Sequence, residues 1–302
     1  MTLPYLGAEA LAAALPITAA IDALEHALLG GLDPSADPQR MTVTADAGQL
    51  LLMPSASGRQ IGVKLVSLAP GNPARGQPRV QGVFMLFDPV TLAPVALVDG
   101  IALTSLRTPA VSALAVRHLA AVDARVLVVF GSGPQAEGHV SAMRAVRPID
   151  EIVIVGRDQA RAEALVSRCR EGGRHARSGS ADDVARADIV VCATTAREPL
   201  FDGQLVRDGA CVVAVGSHEP TAREVDSSLV QRSWLVVEDV ATALREAGDL
   251  VLAGAVQEDL HSLTDLVARR VSIQDGHSTL VKTVGMAWED AVVGAAAVRA
   301  AG

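Results

Sequence analysis

The sequence predicts an α/β chain in two parts, a mostly antiparallel, sheet-rich first part and a second part in which strands alternate with helices. Three observations carry this. A chain of 302 residues is too long for one small core. Residues 1–100 hold short β-rich runs separated by turn chemistry. From residue 126 onward, short continuous apolar runs alternate with helical periodicity, as buried parallel strands and their crossover helices do.

In the first part, Ile17, Ile21, Leu24 and Leu28 share one helical stripe, and Gly30-Gly31 stop it, so a helix is expected over 17–29. Runs at 41–44 and 49–53 flank Asp46-Ala47-Gly48 and read as a hairpin, followed by strands at 61–68, 80–87 and 94–98. Thr108-Pro109 reads as an N-cap followed by proline at the first helical position, giving a helix over 109–122 that leads into the second part. There the order is strand 126–130, helix 135–146, strand 151–155, helix 159–170, a short helix 182–187, and strands 189–193, 210–215 and 234–237. An Ala/Val-rich helix at the C-terminus, 286–302, is expected to return to the first part. The expected domains are therefore 1–117 with that helix, and 118–285.

Composition narrows the function. Of the residues 50% are hydrophobic and 20% charged, enough apolar surface for a packed interior. The formal charge of −8 comes with no basic block to neutralise a phosphate backbone, so nucleic acid is not expected as a partner. No window approaches the roughly 20 apolar residues of a bilayer span, and no basic segment with a long apolar stretch opens the chain. No membrane association is expected, and the location is expected to be cytoplasmic. Cys169, Cys192 and Cys211 fit neither a zinc site nor a disulfide framework and read as small core residues.

The run Val126–Phe130 leads into Gly131-Ser132-Gly133-Pro134-Gln135-Ala136 and then an amphipathic helix. This is the strand, glycine turn and helix of a Rossmann-type dinucleotide site. Gly131 permits the tight turn, Gly133 lets the backbone approach a pyrophosphate, and Ala136 allows close helix packing. The helix N-terminus offers amides and partial positive charge to the anion. The next strand ends at Gly156, where an NAD site would place an acid for the ribose 2′-hydroxyl. Arg157 follows, and its guanidinium suits a 2′-phosphate, which favours NADP(H) over NAD(H). The alternative leaves Arg157 as a solvated loop residue, with Asp158 on the ribose.

Taken together, several stretches resemble the ornithine cyclodeaminase and mu-crystallin family, which includes archaeal-type alanine dehydrogenases and ketimine or imino-acid reductases. They are Gly62-Val63-Lys64, Pro70-Gly71-Asn72, Asp99 through Thr108, the Gly131–Ala136 turn, Ala214 through His218, Glu224-Val225-Asp226, Glu246 through Asp249, and Lys282 through Asp290. The resemblance runs nearly end to end. It implies a Rossmann domain paired with a sheet-rich domain that binds substrate and forms a homodimer. It also implies roles for three cations, Arg40 and Arg107 on the carboxylate of a small α-imino or α-amino acid and Lys64 beside the reacting carbon. Lys64 interrupts an otherwise apolar strand, and burial with neighbouring arginines would lower its pKa into a range useful for proton transfer. Val215 is expected against the cofactor.

Two departures bear on the reaction. Where the cyclising enzymes carry an aspartate after Ala-Val-Gly, this chain has Ser217-His218, and where they carry a glutamate before Leu-Met-Pro it has Leu51. An apolar residue offers nothing to a distal ammonium, and both substitutions argue against ornithine and toward a substrate with no second amine. The expectation is therefore an NAD(P)H-dependent reductase of a small α-imino acid, such as a cyclic ketimine carboxylate or the imine of a 2-oxo acid. Ornithine cyclodeaminase and a mu-crystallin-like binding protein are the alternatives. His218 is either an acid at the nascent amine or a loop residue with a structural hydrogen bond. Asp226 is expected to cap a helix beginning at Ser227, Glu246 and Asp249 to be loop or cap residues, and Lys282-Thr283 to supply backbone packing.

Overall fold

A computed structural model describes residues 3–272 and 276–302 and separates the chain into two units. Unit 1 is Met1–Thr108 with Met286–Gly302, and unit 2 is Pro109–Gly285. The division falls between Thr108 and Pro109, inside a helix.

Unit 1 opens with β1 (Tyr5–Leu6), α1 (Ala8–Ala14) and α2 (Ile17–Leu29). In α2 the expected stripe is realised by Ile21, Leu24 and Leu28, all buried along with Ala20. Then come β2 (Met41–Ala45), β3 (Gly48–Ser55), β4 (Ile61–Leu68), β5 (Val80–Phe87) and β6 (Pro94–Asp99). The six strands form one sheet in the order β1-β6-β5-β4-β3-β2, antiparallel except where β1 runs parallel to β6. The pairs Met53↔Lys64 and Lys64↔Phe84 put Lys64 on a row with two buried apolar residues.

The helix expected to start at Thr108 instead runs as α3 (Gly100–Leu119), with Pro109 inside it. Its true start is Asp99, whose Oδ1 accepts from the amides of Ile101 and Ala102, both at 2.9 Å. This satisfies donors that the helix itself cannot. Pro109 costs the helix one donor, opposite the Ser105 carbonyl, and the surrounding turns carry the element through. Its C-terminal end is closed by Arg147, a buried guanidinium that donates to the carbonyls of Val116 (3.0 Å), Arg117 (2.7 Å) and Ala120 (2.7 Å). Val116 O also accepts from Ala120 N at 3.0 Å, whereas the others lie at the end of the helix, where carbonyls lack intrahelical partners and a cation suits the helix dipole.

Unit 2 continues with β7 (Val126–Phe130), α4 (Pro134–Val146), β8 (Glu151–Val155), α5 (Gln159–Glu171), β9 (His175–Ser178), β10 (Ile189–Cys192) and β11 (Cys211–Ala214). It is completed by α6 (Ser227–Arg232), β12 (Trp234–Val237), α7 (Val240–Glu246), α8 (Gly248–Val251), β13 (Leu260–Ser262), α9 (Leu263–Val267) and β14 (Thr279–Lys282). All eight strands are parallel, in the order β13-β12-β14-β11-β10-β7-β8-β9. Every residue of β10, β11 and β14 is buried; β10 and β11 accordingly read as unbroken apolar runs, whereas β14 begins with Thr279 and ends with Lys282. In place of the short helix expected over 182–187 there is a 3-10 segment, Ala181–Arg186, with Ala187 as its C-cap. Cys169, Cys192 and Cys211 are buried free thiols, as expected of core residues. Asp226 caps α6 as expected, its Oδ1 accepting from Leu229 N at 2.9 Å. The C-terminal helix, α10 (Ala287–Ala301), belongs to unit 1, where it packs on α1, α2 and strands β3, β4 and β5. Among the described residues, no single helix is long and apolar enough to cross a membrane.

One buried group in unit 2 makes its stability depend on pH. His139 on α4 is fully buried, with Nδ1 2.7 Å from Gln135 O and Nε2 3.0 Å from Ser112 Oγ. A neutral ring donating from Nδ1 and accepting at Nε2 satisfies both partners. Burial outweighs the hydrogen bond to Gln135 and lowers its pKa to about 4. The folded state thus resists a proton that the unfolded state takes up near pH 6.5, and stability is lost as pH falls through that window. We expect this group alone to cost about 2 kcal/mol at pH 5 relative to pH 7. The check is thermal melting of wild type and His139→Gln at both pH values: the variant should lose less on acidification, and equal losses would refute the assignment.

Candidate functional site

In unit 2, β7 and β10 are neighbours, while β8 and β9 lie on one side of β7 and β11 on the far side of β10. The chain therefore reverses direction across the sheet between β7 and β10, and ligands of such sheets bind at the carboxyl ends of the strands there. Gly131 follows β7 with φ +116°, and a Cβ on it would stand 2.4 Å from Ala193 O, just past β10. No side chain fits there. Gly133 is different: its φ is −89°, it is exposed, and a Cβ would meet nothing within 4 Å. The structure gives glycine no packing reason at this position, so the open space in front of its backbone is the feature that a bound phosphate would use. Pro134 opens α4, Ala136 is buried beneath the turn, and Ser132 and Gln135 are half-buried. The first-turn amides of α4 have no carbonyl within the helix to bond, so they and the dipole suit a diphosphate.

At the end of β8, Gly156 packs against α5, where a Cβ would come within 3.0 Å of Ala162 Cβ. Asp158 is committed to the cap of α5, accepting from Arg161 N at 3.1 Å and pairing with Arg161 Nε at 3.4 Å. Arg157 is exposed and makes no ion pair or hydrogen bond among the described residues. Val215, half-buried, continues β11 through a 3.0 Å bond from its amide to Cys192 O.

A buried charge network that the sequence reading missed lies under the loops after β10 and β11. Glu224 accepts from Thr194 N (2.8 Å) and Thr194 Oγ1 (2.7 Å) with one oxygen and from Gly216 N (2.6 Å) with the other. Burial raises its pKa against Lys282 and these hydrogen bonds. Asp249, expected to be a loop or cap residue, is fully buried in α8 and accepts from the amides of Glu224 (2.6 Å) and Val225 (3.0 Å). Lys282, expected to supply only backbone packing, pairs with Asp249 at 2.9 Å and donates to Ser217 O at 2.7 Å. The turn carrying Ser217 and His218 is thus held from below. Ser217 is buried and His218 exposed. A lysine at the end of an apolar strand was the available signal, but its partner lies 33 residues away (282 − 249) in a helix of four residues.

Unit 1 holds the second constellation. Lys64 on β4 is 2% exposed, 2.7 Å from Asp290 Oδ2 and 3.2 Å from Thr104 Oγ1. Arg107 on α3, also buried, donates from Nη1 to Glu289 Oε2 at 2.7 Å and from Nε to Asp290 Oδ1 at 3.2 Å. Burial lowers the Lys64 pKa to about 8, with Asp290 opposing and Arg107 assisting. The direction matches the sequence expectation. The sequence reading did not find Glu289 and Asp290, the counterions, because acids in the first turn of a helix read as ordinary caps. Arg40, one residue before β2, is half-buried. Leu51 pairs with Val66 and so shares the sheet face of Lys64.

The family model for the ornithine cyclodeaminase/mu-crystallin family matches residues 8–300. The chain belongs to that family. Among its ornithine cyclodeaminase/mu-crystallin relatives, it is 34% identical over 255 residues to Delta(1)-pyrroline-2-carboxylate reductase 2 of Burkholderia ambifaria, covering 83% of this chain and 81% of the relative. It superposes with a TM-score of 0.92 and 31% identity on the Thermococcus litoralis Delta(1)-pyrroline-2-carboxylate reductase in complex with NADH and L-proline, covering 99% of this chain and 97% of that one. An archaeal alanine dehydrogenase dimer with bound NAD gives a TM-score of 0.92 at 26% identity, covering 100% of this chain and 96% of that one.

The two glycines of the turn allow a direct test. Gly133→Ala has room for its Cβ and an ordinary φ, so it should fold and melt like wild type while binding NADH or NADPH at least about tenfold more weakly, because the methyl occupies the anion's approach. Fluorescence titration measures this. Unchanged affinity would remove the turn from the cofactor site.

Proposed function

We propose that this chain is an NAD(P)H-dependent reductase of a small cyclic α-imino acid, with pyrroline-2-carboxylate as its first substrate to test. The observation that carries the reading is the buried pair Lys64 and Arg107, a proton carrier poised near neutral pH beside a guanidinium in the same unit. Arg107, with Arg40, holds the substrate carboxylate by charge-assisted hydrogen bonds. Lys64 provides the proton that the nitrogen takes up on reduction. His218, exposed on the turn after β11 in unit 2, is a further candidate acid. When bound, the nicotinamide supplies the hydride. Gly131, Ser132, Gly133, Pro134, Gln135 and Ala136 hold its diphosphate, and Val215 packs against the cofactor. Leu51 offers nothing to a distal ammonium and the Ser217-His218 turn lacks the aspartate of the cyclising enzymes, which weighs against ornithine. The similarity to the pyrroline-2-carboxylate reductases of B. ambifaria and T. litoralis supports the same choice.

The face of the unit 1 sheet opposite Lys64 exposes Met41, Val43, Leu50 and Leu65, brought to one side by the pairings Met41↔Leu52, Val43↔Leu50 and Leu52↔Leu65. A contiguous apolar face of this kind marks an interface. A second copy of the chain covers it, giving a homodimer, a reading that the dimeric alanine dehydrogenase relative supports.

The reaction is tested by following NADH and NADPH oxidation with pyrroline-2-carboxylate and piperideine-2-carboxylate. Reduction needs protonated Lys64, so kcat/KM should fall as pH rises through about 8. Lys64→Met should lose at least about a hundredfold in kcat. Failure to consume either cofactor, or conversion of ornithine to proline and ammonia without net NADH, would overturn the reading. For the cofactor, the exposed Arg157 favours the 2′-phosphate of NADPH. Arg157→Ala should weaken NADPH binding about tenfold and leave NADH binding nearly unchanged. Equal effects on both would leave the ribose end unassigned to this residue.

A further inference from the structure

We infer that Asp290 is a positioning residue of the reaction, one carboxylate shared between Lys64 and Arg107 that fixes the aim of both cations and holds the lysine in its proton-donating form. The inference rests on the reading of Lys64 as the proton carrier. Asp290 lies in the first turn of α10 with no side-chain exposure, and its two oxygens divide between Lys64 Nζ at 2.7 Å and Arg107 Nε at 3.2 Å. Glu289, its neighbour, touches Arg107 at 2.7 Å with one oxygen and the Met286 amide at 3.3 Å with the other. The two acids therefore have different tasks. Glu289 orients the guanidinium, whereas Asp290 sets the spacing between guanidinium and ammonium.

The charged groups facing Lys64 are Arg107 from α3 and Glu289 and Asp290 from α10, with the hydroxyl of Thr104 as its uncharged partner. Its partners across the sheet, Met53 and Phe84, are apolar. In this setting burial and Arg107 both drive the lysine toward its neutral form, and Asp290 is the largest influence in the other direction. The carboxylate is held in place by packing. Gly294, one turn further along α10, lies so close to Phe84 that a Cβ would stand 2.8 Å from its ring, and Phe84 is the β5 partner of Lys64.

The proton balance gives this arrangement its consequence. As hydride reaches the imine carbon, the C=N π pair localises on nitrogen, which takes a proton from Lys64 Nζ, and the neutral lysine regains one from water. Only the ammonium form performs this step, so whatever fixes its protonation fixes the alkaline limit of activity.

The test compares Asp290→Asn, Asp290→Glu and Glu289→Gln for pyrroline-2-carboxylate reduction between pH 5.5 and 9.5. In Asp290→Asn the alkaline limb of kcat/KM should move down by at least about one pH unit, with kcat at pH 8 reduced about tenfold and much of it recovered at pH 6. Glu289→Gln should raise the substrate KM and move the limb less. Asp290→Glu keeps the charge but displaces it, so kcat should fall with the limb unmoved. A loss in Asp290→Asn that is uniform in pH would assign Asp290 a merely structural role and overturn the inference. Should that variant not fold, unchanged kcat in Asp290→Glu would overturn it equally. The outcome is separable from the reading beneath it: wild type that reduces no cyclic imine fails that reading, while active wild type with an unmoved limb in Asp290→Asn fails only this inference.

Discussion

A charge taken out of water must find its counterion inside the protein, and much of unit 1 is arranged to meet that demand. Lys64 and Arg107 are both buried, and uncompensated cations there would cost several kcal/mol each. Glu289 and Asp290 neutralise them from the first turn of α10, where the helix dipole favours acidic side chains. The C-terminal helix is therefore more than apolar cover for the sheet. Its face supplies Trp288, Val292 and Val293 to the core, and its N-terminal turn supplies the two carboxylates without which a lysine inside an apolar sheet would shed its proton.

Unit 2 answers the same demand differently. Lys282 pairs with Asp249 and gives another hydrogen to the Ser217 carbonyl, while Asp249 and Glu224 are satisfied largely by backbone amides. Here the charges stitch main chain together, tying the ends of β10 and β11 to α8 and β14. The contrast separates a cation available for chemistry from one consumed by architecture. Lys64 has a hydroxyl and a shared carboxylate for neighbours, whereas Lys282 holds a backbone carbonyl.

What could be read in the sequence followed from how local each signal was. The β7 turn and α4 were legible because strand, glycines and helix are contiguous, and the Asp226 cap because a cap acts within three residues. The antiparallel strands announced themselves through alternation and turns. The start of α3 was misplaced because Thr108-Pro109 makes a persuasive local N-terminus, while the aspartate that caps the helix stands nine residues earlier (108 − 99), beside Gly100. Strands β9, β13 and β14 carry polar residues within three or four positions, so they lack the continuous apolar run that marks the equally short β10 and β11. The counterions of Lys64 and Lys282 escaped because each pairing joins residues remote in sequence. Lys64 could be singled out as odd in its strand, but Asp290 becomes visible as its partner only after the chain has folded.

The order of strands in the parallel sheet also bears on how the protein is made. β14, from residues 279–282, is wedged between β11 and β12, so β12 and β13 have no seat on the sheet until that late segment emerges from the ribosome. The acids that quiet the buried cations arrive later still, at 289 and 290. Both units thus await residues 279–290, and until these are made a nascent chain must carry an open sheet edge and unneutralised cations. Translation speed and chaperone capture before residues 279–290 are made should matter more for this protein than for one whose sheets are completed in the order they are synthesised.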